Sequence, residues 1–331
     1  MKFNQKDFSN KSIKDYLTNK ESFDDNQSGL QEFLYSLITI YEYNDKGESL
    51  YACIQKDWKL FQTDASCKKV LDEIIHSDET TFDRNGIKDS ETLVEYKKDI
   101  TDCVQVWEEL KDDIKNHHRF TTDLKKLDDA GWKKFLDNRY LIDPNDSFYR
   151  ARIHYKKSEI FGLNDMGARE KGDCPPGRAN PEGIPFLYLS EEPKTTFFET
   201  RVNLHDIVSV GEFKLTNNEP LYVEDLTDID LDRIDLFDED IVTLAKRKLL
   251  IRTLSMEMSH PMRRFDSLIE YVPTQFICEY VPLTQTVSGI RFSSSVYPQG
   301  TNVVIFNPNL MQCIAVKDYN IGDLDIKEAI I

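Results

Sequence analysis

Apolar residues recur with helical spacing through roughly the first 140 residues of the chain. Three stripes with steps of three and four residues each fit one face of a helix. They are formed by Leu30, Phe33, Leu34, Leu37, Ile38 and Tyr41, by Leu50, Ile54, Trp58 and Phe61, and by Val70, Leu71, Ile74 and Ile75. The pattern predicts three helices that each bury one face.

A fourth stripe, along residues 91–115, has the spacing of a heptad repeat and predicts one long helix. Its steps of three and four residues connect Leu93, Tyr96, Ile100, Cys103, Trp107, Leu110 and Ile114. Two arrangements bury such a seam. It can pack inside a helical bundle of the same chain, which we take as the prediction, or it can form a coiled coil that joins two chains into a homo-oligomer.

The character of the sequence changes near residue 140, where proline and glycine become more frequent and short β-type runs appear. The runs are FYRARIHY, PFLYLS, DIVSVGEFKL, PLYVEDL, GIRFSSS and TNVVIFN. Between them, helices are predicted in EEPKTTFFETRVN and within DIVTLAKRKLLIRTLSMEM. We therefore predict the α+β class, with an all-helical domain over residues 1–143 and a mixed α/β domain over residues 144–331.

The net charge of −17 at pH 7 narrows the choice of partners. Lysines are interleaved with acidic residues, as in DLKKLDDAGWKK, so no basic patch offsets the repulsion of nucleic acid or of an anionic membrane. The N-terminus has no apolar signal core, and no window reaches the ~18 apolar residues of a membrane span. Six cysteines without a C-x-x-C pair indicate a reduced, cytoplasmic protein. Because the histidines form no H-E-x-x-H pattern, no metal site is predicted.

The common nucleotide-binding and hydrolase motifs are missing from the sequence. It has no G-x-x-x-x-G-K-[ST] phosphate loop, no G-x-G-x-x-G after a strand and no G-x-S-x-G nucleophile elbow. What remains is a set of polar residues at the edges of the β-type runs, namely Arg150, Arg178, Tyr188, Glu199 and Ser294. Each has a structural explanation when taken alone, such as a surface charge or a turn.

Taken together, these residues lie in seven blocks that occur in the order of a known family. The blocks are FYRAR, GRANPEGIPFLYLS, TTFFETR, PLYVEDLT, EYVPTQFICEYV, GIRFSSS and GTNVVIFN. From about residue 148 to residue 308, the chain resembles a RES domain, a family named for its Arg, Glu and Ser and found in bacterial NAD-degrading toxins. The resemblance implies a fold similar to that of ADP-ribosyltransferases.

The resemblance also implies roles for individual residues. It makes Glu199, Arg178 and Ser294 catalytic, and it makes Arg150, Tyr188, Asn180 and Asn302 residues that bind NAD. Ser294 is assigned by taking Phe292 as the aromatic residue of the strand motif, and Ser293 is the alternative. One departure is Ala179, which replaces the tryptophan of the G-R-W-N loop of short family members.

The implied chemistry is cleavage of the bond between nicotinamide and ribose in NAD, with NAD as substrate and no metal. Planar arginine side chains can bind the pyrophosphate with two hydrogen bonds each, and a carboxylate can stabilise the positive charge that develops on the ribose. A tyrosine ring can stack on the cationic nicotinamide. We expect an NAD glycohydrolase or NAD phosphorylase that acts as a toxin or antiviral effector. The helical N-terminal domain would control it, and the expected partners are a protein regulator or antitoxin and a second copy of the chain joined through the N-terminal helices. The alternatives are transfer of ADP-ribose to a protein or nucleic acid, and a binding module without catalysis.

Overall fold

The computed structural model describes residues 28–156, 160–217, 219–227, 240–260 and 267–322. These residues form two compact units. The first holds the described residues up to 106 together with 240–249, and the second holds those from 107 to 227 and from 250 to 322. This division differs from the predicted domains 1–143 and 144–331, since residues 107–143 belong to the second unit and 240–249 to the first.

Ten α-helices and ten strands are interspersed along the described residues. The helices are α1 (Ser28–Thr39), α2 (Leu50–Trp58), α3 (Asp64–Ser77), α4 (Glu79–Arg84), α5 (Lys98–Asn116), α6 (Lys125–Asp129), α7 (Trp132–Phe135), α8 (Pro193–Glu199), α9 (Ile241–Met258) and α10 (Val272–Thr284). The strands are β1 (Tyr41–Ser49), β2 (Leu93–Tyr96), β3 (Arg139–Ile142), β4 (Phe148–Ile153), β5 (Leu187–Ser190), β6 (Ile207–Leu215), β7 (Leu221–Asp225), β8 (Gly289–Ser293), β9 (Thr301–Ile305) and β10 (Met311–Asn320). The α+β class is confirmed.

The first unit is mainly helical, as predicted, but the expectation of an all-helical N-terminal domain is wrong in one respect. Strands β1 and β2 form an antiparallel pair in which Tyr41 lies opposite Tyr96. The two rings stack with centroids 4.6 Å apart, and the buried Tyr41 hydroxyl accepts a hydrogen bond from Trp58 Nε1. Tyr41 fits the spacing of the α1 stripe, which is why the pattern assigned it to the helix.

The predicted long heptad helix is shorter than expected. Leu93 and Tyr96 belong to β2, and α5 begins at Lys98. The rest of the seam is buried within the single chain, since Ile100, Cys103, Trp107, Leu110 and Ile114 are each at most 5% exposed. In the second unit, Trp107 packs on Trp132, with ring centroids 5.7 Å apart. This burial favours packing within the chain over a coiled-coil dimer.

The second unit is built on an eight-stranded sheet of described residues, with the strand order β10-β6-β4-β5-β9-β8-β7-β3. Neighbouring strands are antiparallel except β7 and β8, which are parallel. All six predicted β-runs are strands, and both predicted helices form as α8 and α9. The sequence pattern missed β3 and β10, which pair with β7 and β6 at opposite edges of the sheet.

Strands β4 and β5 share a single residue pair, Tyr149 with Ser190, so the sheet opens on either side of that pair. Phe148 packs on one face with Leu187, Leu189 and other apolar residues of the larger core. Ala151, on β4, packs with a smaller cluster that includes Val208 and Val210. The opening of the sheet is the feature that positions the site described below.

Within the described ranges of the chain, no helix is both long enough and apolar enough to cross a bilayer.

Strand β7 carries a carboxyl group in the interior of the second unit. Glu224 is fully buried, and its Oε1 accepts a hydrogen bond from the Asn138 backbone amide, whereas its Oε2 has no partner among the described residues. Burial raises the pKa of Glu224 from 4.5 to about 7, and the nearby charges of Asp137 and Asp225 act in the same direction. The folded protein therefore favours the protonated form of this side chain.

We predict that Glu224→Gln changes how stability depends on pH. Because the pKa of Glu224 is higher in the folded protein than in the unfolded chain, its contribution to stability is fully present below pH 4.5. That contribution is lost as the pH rises through about 7. The free energy of unfolding of the variant relative to wild type should thus increase between pH 5 and pH 8, by up to about 3 kcal/mol. Denaturant unfolding at both pH values measures this, with the exposed Glu219→Gln as the control. Parallel pH profiles for wild type and Glu224→Gln would contradict the prediction.

Candidate active site

A cavity of about 400 Å³ lies where β4 and β5 separate. Its walls come from β4, β5, α8, the loop that carries Arg178, and the ends of β8 and β9. The lining residues are Tyr149, Arg150, Ala151, Arg178, Tyr188, Leu189, Ser190, Thr196, Glu199, Thr200, Arg201, Tyr271, Phe292, Ser295, Val296 and Asn302. Its volume is within the range of small-molecule binding sites.

The carboxylate of Glu199 lies at the end of α8 and is held by two donors from other segments. Ser294 Oγ donates to Glu199 Oε1 at 2.7 Å, and Asn302 Nδ2 donates to the same oxygen at 2.5 Å. Asn302 is itself oriented by Ser190, whose hydroxyl donates to the Asn302 side-chain oxygen at 2.7 Å. An exposed glutamate thus rests on a buried polar network, because Ser190, Ser294 and Asn302 are each at most 7% exposed.

Two local features bring these segments together. Asn302 on β9 pairs with both Ser190 on β5 and Phe292 on β8, so the three strands fix its position. The turn after β8 approaches α8 closely at Gly300, where a Cβ atom would lie 2.5 Å from Thr195 Oγ1. A glycine is therefore required at position 300 for this contact.

The loop from Cys174 to Pro181 is fastened by side chains rather than by regular secondary structure. Tyr188 Oη donates to Asn180 Oδ1 at 2.7 Å and accepts from the Ala179 backbone amide at 2.9 Å. The Asn180 amide nitrogen donates to the carbonyl oxygens of Pro175 and Pro181. Gly177 leaves room for this contact, because a Cβ there would lie 2.6 Å from Asn180 Oδ1 and 2.7 Å from Tyr188 Oη.

Arg178 is held at the C-terminal end of α9. Its Nη1 donates to the Met258 carbonyl at 2.7 Å and the Glu257 carbonyl at 3.4 Å, a position where a cation complements the helix dipole. Thr274 Oγ1 on α10 donates to the Arg178 carbonyl at 2.6 Å. Burial lowers the pKa of Arg178, and the negative charge of Glu199 opposes that effect.

Arg150 lies at another part of the cavity wall, on β4. Its Nη1 donates to the Gly167 carbonyl at 2.9 Å. Burial and the positive charges of Arg152 and Arg169 lower the pKa of Arg150 to about 10. The cavity therefore has a carboxylate on one wall and arginines on others.

The sequence pattern of the RES domain matches residues 147–325, which is more than half of the chain. The chain belongs to the RES domain family. Among solved structures, it is similar to the crystal structure of the M.tuberculosis MbcT-MbcA toxin-antitoxin complex, with 14% sequence identity and a TM-score of 0.30. That similarity covers 57% of this chain and 92% of the other. No curated protein matches the chain.

The RES domain brings most of the predicted site residues together. Glu199, Ser294 and Asn302 form one hydrogen-bonded group, and it is Ser294 whose hydroxyl contacts the carboxylate. Arg150, Arg178 and Tyr188 join Glu199 and Asn302 in lining the cavity. Two predicted residues are absent from the lining: Ser294, which contacts the carboxylate of Glu199, and Asn180, whose amide holds the loop.

Sequence reasoning missed several residues that support the RES site. Ser190 orients Asn302, Thr274 binds the Arg178 carbonyl, and Gln275 Nε2 donates to the carbonyls of Gly177 and Asn180. Thr274 and Gln275 lie in the block EYVPTQFICEYV, which supported the family resemblance but gave neither residue a role. In the part of the chain that the structure describes, no three His, Cys, Asp or Glu side chains group as a metal site would require.

We predict that Tyr188→Phe loosens the Arg178 loop while leaving the aromatic ring in the cavity wall. The variant loses the hydroxyl that joins Ala179 to Asn180, and the loss of buried hydrogen bonds costs about 1–3 kcal/mol. Amide exchange of the loop should accelerate, and the melting temperature should fall. Tyr222→Phe, at a tyrosine that is 48% exposed on β7, serves as the control. Unchanged loop protection in Tyr188→Phe would show that the hydroxyl does not fasten the loop.

Proposed function

We propose that this RES domain cleaves the nicotinamide–ribose bond of NAD and acts as a toxin that depletes the cell of NAD. The observation that carries the proposal is the Glu199 carboxylate, which borders the cavity and is fixed there by Ser294 and Asn302. Membership of the RES domain family supports this function, because the resemblance described above implies the fold and the site residues of NAD-degrading toxins.

Departure of nicotinamide leaves positive charge on the ribose carbon, as in glycoside hydrolysis. A carboxylate that is already oriented stabilises this charge without having to reorganise during the reaction. Ser294 and Asn302 both donate to Oε1, so the second oxygen, Oε2, is the one that we assign to the ribose. The network that ends in Ser190 keeps the group in place as the charge develops.

The remaining walls suit the rest of a dinucleotide. Arg150 and Arg178 supply planar donor groups for the pyrophosphate, and both are partly buried, where charge-assisted hydrogen bonds are stronger than in water. The ring of Tyr188 lines the same cavity and offers a surface for the nicotinamide. We assign binding roles to Arg150, Tyr188 and Asn302, and a role in shaping the loop to Asn180.

The acceptor of the ADP-ribosyl group decides the type of enzyme. NAD labelled in its adenine ring distinguishes the outcomes when it is incubated with the purified chain, with and without inorganic phosphate. Free ADP-ribose indicates a glycohydrolase, and a phosphorylated ADP-ribose indicates a phosphorylase. Label retained on protein or nucleic acid would instead establish an ADP-ribosyltransferase. Complete stability of NAD would overturn the proposed function and favour a binding module that a protein partner regulates.

We predict that Glu199→Gln abolishes turnover of NAD while largely preserving NAD binding. The amide keeps the size of the side chain but removes the negative charge, which should lower kcat by about two to three decades. NAD consumption by the purified variant and NAD content of cells expressing it provide the measurement. Glu192→Gln, an exposed glutamate that precedes α8, is the matched control and should keep wild-type activity. A Glu199→Gln variant with wild-type turnover would remove Glu199 from the catalytic group.

We predict that Arg178→Lys lowers kcat/KM for NAD by roughly ten- to a hundredfold, because an ammonium group cannot replace a planar two-pronged donor. Lysine keeps a positive charge near the end of α9, so the variant should remain folded. Steady-state kinetics and thermal melting separate the two effects. Arg139→Lys is the control, since Arg139 is exposed and pairs with Asp137 at the sheet edge. Wild-type kinetics for folded Arg178→Lys would place the guanidinium outside the substrate site.

A further inference from the structure

Three arginines gather beside the cavity, and the role proposed for the RES site accounts for only one of them. We call Arg150, Arg152 and Arg169 the arginine cluster. Arg150 and Arg152 are two residues apart on β4, so their side chains leave the strand on the same face. Arg169 is exposed in the segment that follows Gly167. In a chain with a net charge of −17, such a concentration of positive charge requires an explanation.

The first two guanidinium groups converge on a single acceptor. Arg150 Nη1 and Arg152 Nη2 each donate to the Gly167 carbonyl oxygen, both at 2.9 Å. Because both nitrogens bind the same oxygen, the two guanidinium groups lie close together. A neutral carbonyl oxygen satisfies one hydrogen bond from each side chain, but it cannot neutralise two adjacent positive charges.

The cluster lacks the negative partners that normally accompany arginines placed so close together. Among the described residues, no carboxylate forms an ion pair with Arg150, Arg152 or Arg169. Burial lowers the pKa of Arg152, and the charge of Arg169 adds to that effect, whereas exposed Asp165 opposes it. Arg152 Nε is buried and has no hydrogen-bond partner in the part of the chain that the structure describes.

Bringing like charges together in a partly buried place is unfavourable unless an anion joins them. Elsewhere in the same unit, carboxylates neutralise the charge of an arginine. Arg291 pairs with Glu191 at 2.6 Å and with Asp225 at 2.9 Å. The guanidinium groups of the arginine cluster have no such carboxylate partners within the described ranges. This arrangement is typical of a site that binds an anion from outside the chain.

We propose that the arginine cluster is a subsite for a phosphate group at the margin of the cavity. Planar guanidinium groups match the oxygens of phosphate and can bind it with two parallel hydrogen bonds. Arg150 connects the subsite to the cavity, because it lines the cavity and also contacts Gly167. Exposed Arg169 forms the solvent side of the subsite, through which an anion can enter.

A phosphate group at this position can come from two sources. The role of either source in the reaction rests on the proposed function. It can be the pyrophosphate of the bound dinucleotide, or it can be a free phosphate ion that serves as acceptor. Binding of inorganic phosphate to the resting protein does not depend on NAD cleavage. A failure of the proposed function and a failure of the subsite can therefore be distinguished.

The test measures binding of inorganic phosphate and of pyrophosphate to the full chain by calorimetry or by phosphorus NMR. The variants are Arg169→Gln, which alters an exposed side chain, and Arg152→Gln, with Arg152→Lys to restore the charge. Loss of a charge-assisted hydrogen bond should weaken binding of the anion by about tenfold or more in the glutamine variants. Arg139→Gln, which changes an arginine at the sheet edge, should leave binding unchanged.

The kinetic arm of the test identifies the source of the phosphate group. If it is the pyrophosphate, Arg169→Gln raises KM for NAD, and inorganic phosphate competes with NAD. If it is a free acceptor, phosphate accelerates NAD loss, and the same variant raises the phosphate concentration needed for half of that effect. Absence of phosphate and pyrophosphate binding to wild type, or binding that the folded Arg169→Gln and Arg152→Gln variants leave unchanged, would overturn the proposal.

Discussion

The hydrogen bonds that meet at Glu199 Oε1 are the constraint on which the rest of the site depends. They join the end of α8 to Ser294 after β8 and to Asn302 on β9. Each partner is fixed in turn, Asn302 by Ser190 and Ser294 by the backbone amides of residues 296 and 297 that donate to its hydroxyl. Because the carboxylate is exposed and its supports are buried, the group can face a ligand without being free to reorient.

The charges around the cavity are arranged unevenly. The carboxylate of Glu199 lies on α8, Arg178 lies close enough for that carboxylate to affect its pKa, and Arg150 belongs to the arginine cluster. NAD also carries unlike charges in separate parts, with a cationic nicotinamide at one end and an anionic pyrophosphate in its middle. A cavity whose negative and positive groups face the positive and negative parts of such a molecule would orient it before any chemistry takes place.

The sequence predicted elements wherever apolar periodicity and local chemistry agreed. The six β-runs of the second unit are rich in β-branched, aromatic and other apolar residues and all form strands, whereas the mostly exposed β10 and the four-residue β3 carry too little pattern to be recognised. Leu93 and Tyr96 continued a heptad by spacing alone, but backbone pairing with β1 makes them a strand. The site followed from blocks in family order. The role of Asn180 in the loop and the proximity of Arg169 to Arg152 depend on tertiary contacts that no linear pattern records.

The physical unit that holds the site is larger than the segment that matches the family. The match begins at residue 147, yet β3 completes the edge of the sheet and the second half of α5 lies in the same unit. Trp107 Nε1 and Lys111 Nζ both donate to Glu257 Oε1, at 3.2 Å and 2.6 Å. Glu257 and Met258 supply the carbonyls that hold Arg178, so side chains from α5 secure the end of α9 to which that arginine is attached. Residues before the family segment thus contribute to the geometry of the site, and variation in them can alter that geometry without changing any residue that lines the cavity.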